Sequence, residues 1–134
     1  MIKPPILIID DDTEDLNLIK EMIQELGCQN PLVSFTTADA AFHYLERSIE
    51  IPLFILCDEN MPLKNGLELR SKLLECGPPI RDIPFILLLA SKSEVTEMLA
   101  IKHEINLYFQ KPSSLLEMVR LIKIILSYMK VDYA

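Results

Sequence analysis

The chain is poor in cysteine: Cys28, Cys57 and Cys76 are its three among 134 residues. Their odd number and the lack of any CxxC spacing argue against a disulfide framework and against a zinc site. Reduced, mostly buried thiols are expected instead. No block of lysine or arginine occurs, and 13 basic against 20 acidic residues give a net charge of −7. That balance makes nucleic acid and anionic membrane poor partners. No apolar run approaches membrane-spanning length, and the apolar part of MIKPPILIIDDD is too short for a signal peptide, so a cytoplasmic location is expected. Repeats, low-complexity tracts and linkers are missing too. What remains is half apolar and a quarter charged, the composition of one globular domain spanning residues 1–134.

The stretch that organises the rest is Leu53-Phe54-Ile55-Leu56-Cys57-Asp58, followed by a turn at Met61-Pro62. A continuous apolar run of this length reads as a strand buried on both faces of a parallel sheet. Similar runs occur at Ile6–Ile9, Leu32–Phe35, Phe85–Ala90 and Leu107–Gln110. Helical spacing predicts helices over Thr13–Leu26, from Thr37 or Asp39 to about Arg47, over Leu67–Cys76, from Ser91-Lys92-Ser93-Glu94 to about Lys102, and from Ser114 to about Met129. Ser91…Glu94 and Ser114…Glu117 read as capping boxes, and Gly66 is placed in a loop. Five strands each followed by a helix predict a doubly wound α/β fold, with helices on both faces of a parallel sheet.

Parallel strands bring their carboxyl ends to one edge, where ligands bind in such sheets. The first strand delivers Asp10 and Asp11 there, the third Asp58 and the fifth Lys111. Three crowded carboxylates repel unless a cation intervenes. Mg²⁺ fits, being a hard ion content with one or two carboxylates, waters and a phosphate oxygen. A carboxylate beside Mg²⁺ and a lysine is also a plausible nucleophile toward phosphorus. Each piece is ordinary alone, but the three in this order form a specific joint pattern.

Through ILIIDD at Ile6–Asp11, LCDENMP at Leu56–Pro62 with Gly66, IPFILLLA at Ile83–Ala90 and YFQKP at Tyr108–Pro112, the chain resembles the receiver domains of two-component response regulators, including stand-alone chemotaxis-type regulators. The resemblance implies a flavodoxin-like (βα)5 fold with strand order 2-1-3-4-5 and Asp58 as phosphoacceptor. It implies Mg²⁺ at Asp10, Asp11 and Asp58 and at the backbone carbonyl of Asn60. Lys111 and the backbone of Ala90 would bind the phosphoryl group, and the Lys111-Pro112 bond would be cis. The implied donors of the phosphoryl group are a sensor histidine kinase or a histidine phosphotransfer protein. Output would pass to a downstream protein partner or by onward phosphotransfer. The protein would not be an enzyme beyond Mg²⁺-dependent self-phosphorylation and self-dephosphorylation.

Two positions depart from the family. Leu89 stands where a Thr or Ser hydroxyl is usual, with Ser91 two residues on as a substitute and Tyr108 as the switch aromatic. A hydrogen bond to a charged group contributes roughly 1.5–3 kcal/mol, so its loss would weaken the phosphorylation-driven shift about ten- to a hundredfold. Glu104 replaces the Gly that commonly ends the fourth helix. An alternative function is therefore a receiver-like adaptor that binds partners independently of phosphorylation. A haloacid-dehalogenase-type phosphatase, suggested by Asp10 and Asp12 as a DxD, needs an acidic pair after a later strand that is missing here. On the last helix, Met118, Ile122, Ile125 and Met129 form the expected inward stripe. Leu116, Ile124, Tyr128 and Val131 are expected outside, as a homodimer or partner surface.

Overall fold

The computed structural model describes residues 3–59 and 65–131. In chain order the elements are β1 (Ile6–Ile9), α1 (Thr13–Glu25), β2 (Leu32–Phe35), α2 (Ala38–Arg47), β3 (Phe54–Asp58), α3 (Gly66–Glu75), β4 (Phe85–Leu89), α4 (Glu94–Lys102), β5 (Leu107–Gln110) and α5 (Leu115–Tyr128). A 3₁₀ turn at Ile80–Asp82, which periodicity does not announce, leads into β4. All pairings are parallel and the strand order is β2-β1-β3-β4-β5, the expected doubly wound arrangement.

Strand alternation divides the core into two layers. Ile6, Ile8, Phe54, Leu56, Ile86 and Leu88 face α1 and α5. Their neighbours Leu7, Ile9, Ile55, Cys57, Phe85, Leu87 and Leu89 face the layer that holds Ala41, Leu45, Leu69, Leu73 and Ala100 of α2, α3 and α4. Burial of each large side chain stabilises by about 1.5–3 kcal/mol before conformational entropy is subtracted. β1, β3 and β4 are therefore apolar on both faces because both faces are covered.

Side-chain caps fix where the helices begin. Asp12, Thr37, Asn65, Ser93 and Ser114 each accept backbone N–H bonds at a helix start. Two differ from the sequence reading. α4 is capped by Ser93 with Thr96 reciprocating, not by Ser91, because the Thr96 hydroxyl also reaches the Ser91 carbonyl and closes the turn two residues later. α3 begins at Gly66 itself, after an Asn65–Glu68 capping box. The glycine is needed there for proximity: a Cβ would lie 2.7 Å from Leu87 Cδ1 and 3.1 Å from the Asp58 carbonyl oxygen.

The far side of the sheet is tied by Arg70, a buried α3 residue. Its guanidinium donates to the carbonyls of Arg81, Ile83 and Glu104 and lies 5.7 Å from the Phe85 ring centre. Glu104 has φ of 53°, so a side chain occupies the left-handed conformation usual for glycine. Among the described residues the cis bond is Pro78–Pro79, and Lys111–Pro112, expected to be cis, is trans.

At the other end, Lys130 takes φ of 57° and the Val131 N–H bonds the Leu126 carbonyl. This turn folds Val131 into the core, correcting its assignment to the outer face of the last helix. Leu116, Ile124 and Tyr128 are exposed as expected. α4 adds Val95, Met98 and Ile101, each about two-thirds exposed, and buries Ala100 alone. No helix is long and apolar enough to cross a membrane among the described residues.

Candidate functional site

The predicted site residues come together at the carboxyl ends of β1, β3 and β5. Asp10 follows β1 and is anchored by its N–H to the Phe35 carbonyl. Its Oδ1 accepts from the Asp12 N–H at 2.9 Å. Asp12 then caps α1, accepting from the N–H groups of Glu14 and Asp15. The acidic run thus has separate duties: Asp10 faces inward and Asp12 holds the helix, while Asp11 stays exposed. Asp58 ends β3, in register with Leu88 of β4.

One ammonium holds the cluster together. Lys111 Nζ donates to Asp10 Oδ2 and Asp58 Oδ2, both at 3.0 Å, and lies 3.1 Å from Asp15 Oδ2. The Lys111 backbone N–H bonds the Leu89 carbonyl at 2.8 Å, which fixes the root of the side chain to the end of β4. Burial alone would lower the affinity of this amine for its proton. Hydrogen bonds to Asp10, Asp58 and Asp15 outweigh it and hold Lys111 above the ordinary lysine range. Asp10 moves up, chiefly because it is buried, and the Asp12 N–H and Lys111 oppose the shift. Beneath the site, burial and then the negative charge of Asp58 and Asp10 raise the Cys57 thiol, so Cys57 is protonated and packed. Its Sγ–H donates to the Asp58 carbonyl at 3.3 Å.

Asp10, Asp11 and Asp58 each offer a carboxylate oxygen, all within 4.8 Å of one another. Hard oxygen donors at this separation, two of them buried, suit a divalent cation of the Mg²⁺ or Mn²⁺ type. Asn60, whose carbonyl is the expected fourth ligand, lies outside the described residues, as do Met61 and Pro62.

The remaining expected residues fall on the β4 and β5 side. Leu89 is fully buried, in the core layer against which Tyr108 packs. β4 ends at Leu89, so strand alternation does not carry Ser91 onto the same face. Ser91 is exposed, with its carbonyl held by Thr96. The Ala90 N–H donates to Glu59 Oε1 at 3.4 Å. Sequence reasoning missed Glu59 in this place, and it missed Asp15 as a third partner of Lys111. For Asp15 the sequence offers only an acid in the first turn of α1, which the helix dipole already accounts for.

A doubly wound sheet carrying three carboxylates and one ammonium at its strand ends is the arrangement that defines receiver modules of two-component signalling. This chain belongs to the response regulator receiver domain family, which it matches over residues 6–123. It is 26% identical to the response regulator Rcp1 of the cyanobacterium Synechocystis, over 93% of this chain and 89% of that one. Among solved structures it superposes on the phosphorylated cyanobacterial phytochrome response regulator RcpA with TM-score 0.86 and 23% identity, covering 95% and 94% of the two chains. The Mn²⁺-bound form of Rcp1 gives TM-score 0.84 at 23% identity, covering 98% and 99%. At that identity the structural likeness is one of fold.

Proposed function

We infer that this chain, read as one receiver unit over residues 1–134, accepts a phosphoryl group on Asp58 from a phosphohistidine. The donor is a sensor histidine kinase or a histidine phosphotransfer protein. The supporting observation is the clamp of Lys111 on Asp58 and Asp10 beside Asp11. A carboxylate oxygen of Asp58 forms the new P–O bond as the P–N bond breaks, and the released electron pair stays on the imidazole of the donor. Asp10, Asp11, Asp58 and the Asn60 carbonyl would hold Mg²⁺, which supplies charge neutralisation for the phosphoryl oxygens. Lys111 shares that duty, and the Ala90 N–H offers a further donor once Glu59 leaves it. The protein acts in the cytoplasm as a signalling switch, not as an enzyme on an external substrate.

Output passes to a protein partner or by onward phosphotransfer. The exposed apolar residues of α5, Leu116, Ile124 and Tyr128, supply a surface for a partner or a second copy. A second reading, a phosphorylation-independent adaptor, is favoured by one observation: Leu89 fills the switch position with apolar packing and cannot donate to a phosphoryl group.

The test is labelling by acetyl phosphate with Mg²⁺. One acid-stable, base-labile phosphate is expected per wild-type chain and none on Asp58→Asn. Equal labelling of both proteins would place the acceptor elsewhere, and a wild type that is never labelled would leave the adaptor reading.

A further inference from the structure

An ammonium has three N–H donors. All three of Lys111 have a carboxylate facing them, at Asp10, Asp58 and Asp15. The first two belong to the site derived above. Asp15 does not: it sits in the first turn of α1 and is about two-fifths exposed. It also lines a cavity of about 150 Å³ together with Lys111, Ser113, Ser114 and Met118, residues of α5 and of the loop that leads into it. The N–H of Asp15 is tied to the Asp12 side chain, so the carboxylate is carried by a fixed helix turn.

We propose that Asp15 is a built-in competitor for Lys111, a positioning residue that draws the ammonium toward α1 and so weakens its hold on a group attached to Asp58. This rests on the phosphoacceptor reading of Asp58 and deepens it. The argument is electrostatic. A phosphoryl group needs a donor from Lys111, and each hydrogen bond to Asp15 withdraws one. The charge of Asp15 also repels an anion bound to Asp58 through a partly solvated path. Both effects act in the same direction.

On a bare cation the direction reverses. Without Asp15, Lys111 settles more firmly between Asp10 and Asp58, where the cation must bind, and one attractive negative charge is lost. Removing the Asp15 charge should therefore strengthen binding of a phosphoryl analogue and weaken binding of Mg²⁺ alone. A defect of folding or of helix α1 would weaken both.

The test uses Asp15→Asn, close in shape, with Asp15→Ser as a second variant that lacks the charge in a different way. Mg²⁺ alone is titrated first, then beryllofluoride at saturating Mg²⁺, each followed by amide NMR shifts around Asp58 and Lys111. In both variants the beryllofluoride dissociation constant is expected to fall about two- to fivefold, the range of a partly exposed ion pair. The Mg²⁺ constant is expected to rise by a similar factor. Both differences should shrink at 0.5 M salt, where the screening length is only about 4 Å. Unchanged beryllofluoride affinity, or weakening of both ligands, overturns the proposal while leaving Asp58 as acceptor. A wild type that binds no beryllofluoride removes the acceptor reading and this inference with it.

Discussion

Replacing Lys111 with methionine keeps most of the aliphatic stem and removes the ammonium from among three carboxylates. The two buried pairs, at 3.0 Å each, are worth about 5 kcal/mol apiece as bare Coulomb energy at an effective dielectric of about 20. Desolvation of the three groups offsets most of that. Removing one partner of a fully buried pair costs about 3–5 kcal/mol. Lys111 retains 21% of its side-chain exposure, so a loss of about 2–3 kcal/mol is expected without Mg²⁺, or roughly 6–12 °C in Tm for a chain of this size.

Two further signatures separate this from ordinary loss of packing. Mg²⁺ no longer has to displace an ammonium, so its stabilising shift in Tm should be about twofold larger or more in the variant, since tighter binding to the folded state raises apparent stability. The pH dependence has a definite sign as well. Burial already raises Asp10 above its ordinary value of 3.8, and loss of Lys111 removes an influence that lowers it. A carboxyl whose folded pKa is raised contributes stability below its unfolded pKa and loses it as pH rises through the folded value. The deficit of the variant should therefore be largest near neutrality and narrow toward pH 4. Thermal melts across this range, with and without Mg²⁺, measure all three. A variant within about 0.5 kcal/mol of wild type and with an unchanged Mg²⁺ shift would refute the view that Lys111 holds these carboxylates together.

Gly66→Ala should destabilise by about 1–3 kcal/mol through overpacking, because the new methyl meets Leu87 and the Asp58 carbonyl; a urea midpoint equal to wild type would contradict this. Leu89→Thr should cost about 2–4 kcal/mol in the same assay, from lost apolar volume and a buried hydroxyl. Beryllofluoride should nevertheless shift the NMR signals around Tyr108 more in Leu89→Thr than in wild type. Equal amplitudes would mean that another group already serves that hydroxyl's purpose.

The sheet was legible because β1, β3 and β4 are short, nearly unbroken apolar runs and all five strands alternate with helical patterns. Leu32–Phe35 and Leu107–Gln110 fall where the pattern places them. Asp10, Asp58 and Lys111 were legible for the same reason, since parallel topology alone carries strand ends to one edge. Helix starts were harder. Ser91 and Ser93 are both good caps, and the choice depends on which turn the Thr96 hydroxyl closes. At Gly66 a glycine reads as a loop, while its actual role is to let α3 approach β3. Asp15 escaped because an acid in a first helical turn already has a sufficient local explanation in the helix dipole. Its partner stands 96 residues away in sequence, across the fold. Val131 was misplaced because a helical projection was carried past Tyr128, where the helix ends.

The thiol beneath Asp58 has a practical consequence. Cys57 lies at 0% exposure in the central strand, Cys28 is buried, and Cys76 is exposed at the end of α3. A thiol-directed reagent therefore finds one site in the native state and reaches Cys57 only when β3 parts from its neighbours. Slow modification of Cys57 would act as a clock for that event, timing how often the floor of the site opens.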